Sequence, residues 1–263
     1  MRRIEKSFAR LKDEGSGGLI PFITAGDPNL NVTCALIVEL ASNGASVIEL
    51  GVPFSDPMAD GPVIQRSSER ALRNGVGLEQ ILQTVSKARE DTDVPIVLFS
   101  YYNPLLQFGL ERLAQEAARA GVDGVLVTDV PPEEAEQFQN CLSAQGLDMI
   151  YLVAPTSTDA RLQMIAERAS GFIYAVSRTG VTGMREESSS SAEILVARVR
   201  AVTTLPVAVG FGISNKTQVD DVLRYADAAV VGSAIVARIE GCAGNNNLVH
   251  QVGEFAKSLI DGQ

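Results

Sequence analysis

Leu19-Ile20-Pro21-Phe22-Ile23-Thr24 runs directly into Ala25-Gly26-Asp27-Pro28. The first six residues have the length and apolar character of a buried strand. In a doubly wound α/β sheet, the turn after the first strand carries a Gly-x-Gly-x-x-Gly fingerprint that opens a helix. Ala25-Gly26-Asp27-Pro28 is not that turn. Seven more strand-length apolar runs follow, over 47–50, 96–100, 124–128, 149–153, 172–176, 207–210 and 228–231. Between them lie segments with apolar residues three and four apart, the helical spacing, over 32–42, 78–89, 110–120, 133–144, 160–169, 194–201 and 217–225. Residues 4–11 read as an extra N-terminal helix and 248–260 as the last outer helix. Eight strands joined by helices in about 250 residues are the dimensions of the (β/α)8, or TIM, barrel. The reading is therefore an α/β fold, one TIM-barrel domain over 1–263 with an added N-terminal helix. No linker or shift of composition divides it, and the serine run 188–191 reads as a flexible loop.

Composition narrows the chemistry. Lys and Arg number 22 against 32 Asp and Glu, a net charge of −10, which argues against a nucleic-acid surface. The longest run without a charge, 94–110, is 17 residues and holds two prolines, short of the roughly 20 apolar residues of a membrane span. The first 15 residues are rich in charge and form no apolar signal-peptide core. Cys34, Cys141 and Cys242 are odd in number and far apart, as reduced thiols in a cytoplasmic protein would be. One histidine, His250, makes neither a Ser-His-Asp triad nor a zinc site, and no metal is expected. None of the five lysines ends a strand-like run, so no Schiff-base nucleophile stands out. Acid–base work by Asp or Glu remains.

In a β/α barrel the active site forms at the carboxyl ends of the strands. Two connections there are long: 51–77, much of it ahead of the helix at Leu78, and 177–191. Long loops in a compact domain are usually lids or binding loops. Glu49 sits inside the apolar run Val47-Ile48-Glu49-Leu50, where a carboxylate costs several kcal/mol unless paired or protonated. Such a cost points to function, the alternatives being a buried ion pair or an end-of-strand residue that reaches solvent. Asp60, in Ala59-Asp60-Gly61-Pro62, is by itself an ordinary turn residue. Eleven positions apart across one strand end, the two carboxylates could flank a ligand, one held neutral by burial and the other ionised. Gly210-Phe211-Gly212 and Gly232-Ser233 end the last two strands, where bare backbone N–H groups and a helix end commonly hold phosphate. Phe22, Tyr101, Tyr174 and Phe211 fall near strand ends, where they would wall a flat apolar ligand or simply fill core.

These residues also carry a resemblance. The stretches Leu19-Ile20-Pro21-Phe22-Ile23-Thr24-Ala25-Gly26-Asp27-Pro28, Ile48-Glu49-Leu50-Gly51-Val52-Pro53-Phe54-Ser55-Asp56-Pro57, Ala59-Asp60-Gly61-Pro62-Val63-Ile64-Gln65, Ser177-Arg178-Thr179-Gly180-Val181-Thr182-Gly183 and Gly210-Phe211-Gly212-Ile213-Ser214 resemble the tryptophan synthase alpha chain family. The likeness extends from about residue 4 to 260. It implies a barrel lyase that cleaves indole-3-glycerol phosphate to indole and glyceraldehyde 3-phosphate, with Glu49 and Asp60 as the catalytic pair. It implies phosphate on Gly183, Gly212, Gly232 and Ser233, and the indole among Phe22, Tyr101, Leu126, Tyr174 and Phe211. Arg178 and Thr182 fall on the family's lid loop. The resemblance implies no cofactor on this chain, pyridoxal phosphate being expected only on a beta partner, in an alpha2beta2 assembly docked through the 53–60 loop and Asn103-Pro104. A stand-alone indole-releasing lyase and a catalytically idle allosteric partner of the beta chain are the other readings of the same residues.

Overall fold

The computed structural model describes residues 1–176, 185–210 and 212–261, and for 185–190 the backbone alone. Eight parallel strands close into a barrel in sequence order: β1 (Gly18–Thr24), β2 (Ile48–Gly51), β3 (Ile96–Ser100), β4 (Gly124–Val127), β5 (Asp148–Val153), β6 (Ile173–Val176), β7 (Val207–Gly210) and β8 (Ala228–Val231). β8 pairs back onto β1, Ile20 opposite Val230. The helices are α1 (Arg3–Glu14), α2 (Leu30–Ser42), α3 (Pro62–Arg73), α4 (Leu78–Ala88), α5 (Tyr102–Phe108), α6 (Leu110–Ala120), α7 (Glu136–Ala144), α8 (Asp159–Arg168), α9 (Arg185–Arg200), α10 (Lys216–Leu223), α11 (Ser233–Gly241) and α12 (Leu248–Ser258).

The two-residue period of each strand divides the apolar side chains into two cores. Ile20, Val47, Val97, Leu126, Ile150, Tyr174, Ala208 and Val230 point into the barrel. Their neighbours Leu19, Ile48, Leu98, Val125, Met149, Ile173, Val209 and Val231 point outward and pack under the helices. This is why the strands read as unbroken apolar runs: both faces are covered. α1 closes the floor. Ile4, Phe8 and Leu11, at helical spacing, join the inner core, with Phe8 and Phe172 ring centroids 5.7 Å apart. Ser7 Oγ donates to Ser46 O at 2.7 Å beside them.

Around the floor, the strand starts are fastened by aspartates. Asp123, just before β4, accepts from the Ile96 N–H of β3 at 2.8 Å and from Arg89 Nη2 at 2.7 Å. Asp227, just before β8, repeats the device four strands on, accepting from the Val207 N–H of β7 at 2.8 Å and from Arg200 Nη2 at 3.1 Å. Asp148 takes Arg2. The amino-terminal face of the barrel is thus spent on stability, which leaves its opposite face for a site.

Two expectations are corrected. The long second connection holds α3, and the helix has no apolar stripe to betray it: its buried residues are Ser67, Ser68 and Ala71. Pro62 at its first turn, where a missing N–H costs nothing, was the available start signal. The serine run 188–191 lies within α9, not in a loop. Buried Ala192, Leu195, Val196 and Val199 carry that helix, and serine adds a penalty of only about 0.5 kcal/mol per residue to its extension. The short helices α5 and α11 likewise lay inside what read as connections, Gly232-Ser233-Ala234-Ile235 having marked only the start of α11.

Asp123 and Arg89 form a buried pair, with side chains 7% and 10% exposed. Asp123→Ala is expected to lower the unfolding free energy by about 3 kcal/mol, because it removes the charged partner of the Arg89 guanidinium and the acceptor of the Ile96 N–H. Asp123→Asn, which keeps an acceptor for that N–H, should lose less; urea unfolding followed by circular dichroism distinguishes them.

Candidate active site

β2 pairs with β1 so that Phe22 lies opposite Glu49, and with β3 so that Glu49 lies opposite Val97. Because Val47 faces the interior, Glu49 must as well. It is 1% exposed, and its Oε1 has no hydrogen-bond partner among the described residues. Loss of water, with no cation to offset it, pushes its carboxyl up to about 8. At neutral pH Glu49 is therefore mostly protonated, a proton donor in a dry wall.

Asp60 closes the turn before α3, its N–H bonded to Pro57 O at 3.1 Å and its carbonyl held by Gln65 Nε2 at 2.9 Å. Partial burial raises its carboxyl to about 6, with the Tyr101 hydroxyl pulling the other way by hydrogen bonding to the carboxylate. The same hydroxyl accepts from the Ala59 N–H at 2.8 Å, and the Tyr101 ring lies 5.1 Å from that of Phe54. Tyr101 thereby sets the loop. Asp60 is mostly ionised at pH 7, where Glu49 is not. Two acids of similar intrinsic strength are split by their surroundings into a donor and an acceptor.

Both carboxylates line one cavity of about 330 Å³ at the carboxyl ends of the strands. Its walls include Phe22, Ile64, Phe99, Tyr174 and Val230. Phe22 meets Phe99 edge-on at 5.4 Å, and Phe99 meets Tyr174 at 6.5 Å. Two glycines leave room for this lining: a Cβ on Gly51 would strike the Phe22 ring, and one on Gly210 the Tyr174 hydroxyl. Gly212, Gly232 and Ser233 line the same cavity, Gly232 lying beside Phe22 and Ile64. Gly212 adopts a left-handed φ of 77°, a conformation that costs a residue with a side chain. Gly232 caps α11, whose first N–H groups have no partner within the helix and carry its positive end. A cavity with an aromatic body, two acids and a helix N-terminus in its lining suits a flat ring joined to an anion.

The structure brings together Glu49, Asp60, Phe22, Tyr174, Gly212, Gly232 and Ser233. Leu126 is fully buried in the inner core beneath the cavity, and Tyr101 stands behind Asp60, not in the lining. Arg178, Thr182, Gly183 and Phe211, with the rest of 177–184, lie outside the described residues. Sequence reasoning missed Phe99 and Ile64. Phe99 shares the parity of inward-facing Val97, so the alternation of β3 would have found it; Ile64 belongs to the unanticipated α3. His250 is exposed on α12, 3.6 Å from Glu39 and away from the cavity. The three cysteines are free. Among the described residues no group of three His, Cys, Asp or Glu is placed to hold a metal, and no helix is long and apolar enough to cross a membrane.

The closed barrel, with its pocket at the strand carboxyl ends, places the chain among the TIM-barrel enzymes. A family profile described as the tryptophan synthase alpha chain matches residues 8–262. The tryptophan synthase alpha chain of Geobacter sp. (strain M21) is 50% identical over 262 residues, which span 100% of this chain and 98% of the relative. That of Neisseria meningitidis serogroup A is 48% identical over 262 residues, 99% of each chain. Among solved structures, the alpha subunit from Legionella pneumophila superposes with a TM-score of 0.91 at 36% identity, covering 98% of this chain and 97% of that one. A chain of the a2b2 tryptophan synthase complex from Pyrococcus furiosus gives 0.85 at 39% identity, over 92% and 97%. The chain belongs to the tryptophan synthase alpha chain family, whose members are carbon–carbon lyases.

The state of Glu49 has a signature in stability. The native carboxyl keeps its proton to about pH 8, whereas an unfolded glutamate releases it near 4.5. Between those limits the native state binds more protons, so this group's contribution falls as pH rises. Glu49→Gln removes that loss. Its stability advantage over the parent should grow from near zero at pH 4.5 to on the order of 3 kcal/mol at pH 8. Thermal unfolding of both proteins across that range checks it, and a gap that does not change with pH excludes a buried neutral carboxyl.

Proposed function

We propose that the chain is the alpha subunit of a tryptophan synthase and cleaves indole-3-glycerol phosphate to indole and glyceraldehyde 3-phosphate, with Glu49 and Asp60 as its acid–base pair. The observation that carries this reading is that both carboxylates line one aromatic cavity, together with Gly212, Gly232 and the start of α11. The indole ring sits between Phe22 and Tyr174, and the phosphate at Gly212, Gly232 and Ser233. The family resemblance adds Gly183 to the phosphate site and assigns Arg178 and Thr182 to a lid loop, all outside the described residues.

The chemistry needs only protons. Glu49, neutral at rest, gives its proton to ring carbon C3. The ring becomes an indoleninium cation, which serves as the electron sink that a lysine supplies in other aldol cleavages. Asp60, ionised, accepts the ring N–H and stabilises that cation. The Glu49 carboxylate then takes the proton of the adjacent side-chain hydroxyl. The O–H electrons form the aldehyde C=O, the carbon–carbon pair returns to the ring, and indole departs with Glu49 reprotonated. Each positioned group is worth roughly 10²–10⁴-fold. Burial of Glu49 keeps the donor protonated, and its Oε1 has no hydrogen-bond partner among the described residues.

No cofactor is assigned to this chain; pyridoxal phosphate belongs to the beta partner, which consumes the indole in an alpha2beta2 assembly in the cytoplasm. The docking side is the 53–60 loop with α5. Met58 there is 93% exposed and Leu106 is 53% exposed, apolar surface that a partner would cover.

Glu49→Gln should abolish indole formation while keeping the fold, and Asp60→Asn should lower it at least a hundredfold. A bell-shaped dependence of kcat/KM is expected. Activity should fall below about pH 6 as Asp60 takes a proton, and above about pH 8 as Glu49 loses its own. The acid limb should disappear in Asp60→Asn. An indole-formation assay on the purified chain, titrated with a beta subunit, measures all of this. Large activation on mixing identifies a subunit; full activity alone identifies a stand-alone lyase. Near wild-type turnover by Glu49→Gln would end the assignment of Glu49.

A further inference from the structure

Helix α3 begins two residues after Asp60 and is fastened at several places outside the cavity. Its middle is tied to β1 through Ser67 and Thr24, whose hydroxyls lie 2.6 Å apart. Its last turn is tied to the loop after β1, where Asn74 Nδ2 donates to Pro28 O at 2.8 Å. The strongest tie is Arg70. Its Nε and Nη2 grip both oxygens of Asp27 at 2.8 Å, and its Nη1 reaches Glu240 Oε1 on α11 at 2.7 Å. Arg66, one turn earlier, holds both oxygens of Glu240 at 2.9 and 2.7 Å. Asp27 is 2% exposed, and the two arginines hold the Glu240 carboxyl down to about 2. Neither end of this clamp touches the cavity.

What the clamp joins is informative. The amino-terminal end of α3 carries Asp60 through Gln65, and the amino-terminal end of α11 carries Gly232 and Ser233. We propose that Arg70 is a positioning residue: by bridging Asp27 and Glu240 it keeps the Asp60 end of α3 at a set spacing from the Ser233 end of α11, so that the ring-binding and anion-binding halves of the cavity engage one molecule together. The inference rests on the reading of those two halves given above. Only arginine suits the post. Its planar fork meets one carboxylate with two donors while a third points to the other, which the compact ammonium of lysine does not reproduce. A spacing held in this way costs nothing at the moment of binding, whereas a drifting one sacrifices the gain from linking two fragments.

The test separates linkage from general stability. Three probes are titrated into the purified full chain by NMR: indole, inorganic phosphate, and a non-cleavable indole joined through a three-carbon chain to phosphate. Arg70→Lys is expected to weaken the joined compound about tenfold, with each fragment changing less than twofold. Glu240→Gln leaves the Asp27 pair in place and should shift the joined compound about threefold in the same direction, so it decides the matter if Arg70→Lys does not fold. Unchanged affinity for the joined compound in a folded variant overturns the positioning role. So does parallel weakening of all three probes, which marks plain destabilisation. If the unmutated chain binds the joined compound and forms indole, such a result removes only Arg70's role. If the unmutated chain does neither, the reading of the site falls with it.

Discussion

A carboxyl group buried inside a closed barrel, with no cation beside it among the described residues, is the constraint on which the rest of this site depends. The alternation of β2 leaves Glu49 no choice of face: Ile48 and Leu50 belong under the helices, so Val47 and Glu49 belong inside. A slip of one residue would expose the glutamate to the helix layer and place two large aliphatic side chains where the cavity now lies. Once inside, the carboxyl keeps its proton, because the interior offers the charged form nothing. The floor built by Ile4, Phe8 and Leu11 matters for the same reason, since packing there leaves access only from the carboxyl ends of the strands.

The two faces of the barrel are specialised in opposite ways. On the amino-terminal face, aspartates and arginines pair with one another and with strand-start N–H groups, so their polar capacity is used up internally. On the carboxyl face, Glu49 Oε1 has no hydrogen-bond partner among the described residues, and the first turn of α11 has no side-chain cap. Polar groups unsatisfied by their own protein are costly, and they become productive when a ligand supplies what is missing. Asp60 lies between these extremes. It is partly buried and shaped by Tyr101, and so it ionises where Glu49 does not.

Helix α3 turns a loop into part of a rigid frame. Without it, Asp60 would sit at the tip of a connection 27 residues long. With it, Asp60 is the start of a helix bolted to β1, to the following loop and to α11 by Ser67, Asn74, Arg66 and Arg70. The exposed Met58 lies in the same loop, so a partner pressing on that surface acts within a few residues of a carboxylate whose placement matters.

Sequence by itself determined the barrel, an extra N-terminal helix and a glutamate set within an apolar strand. Strand periodicity and apolar runs are local properties, and each strand's bounds lay within a residue of those read from its pattern. Asp60 taken alone was legible as a turn residue, since Asp-Gly-Pro serves many turns; its spacing from Glu49 and then the resemblance singled it out. Helix α3 was not legible, because its buried face is serine and alanine, held by polar contacts to elements distant in the chain. Ile64 went unseen with that helix, whereas Phe99 was within reach of the alternation of β3. Only the tertiary structure decided that Glu49 is unpartnered, that Asp60 faces the same space, and that Arg70 spans two carboxylates from separate segments. Burial, ion pairing and the shape of a cavity are set by which distant residues meet, and no local pattern encodes that meeting.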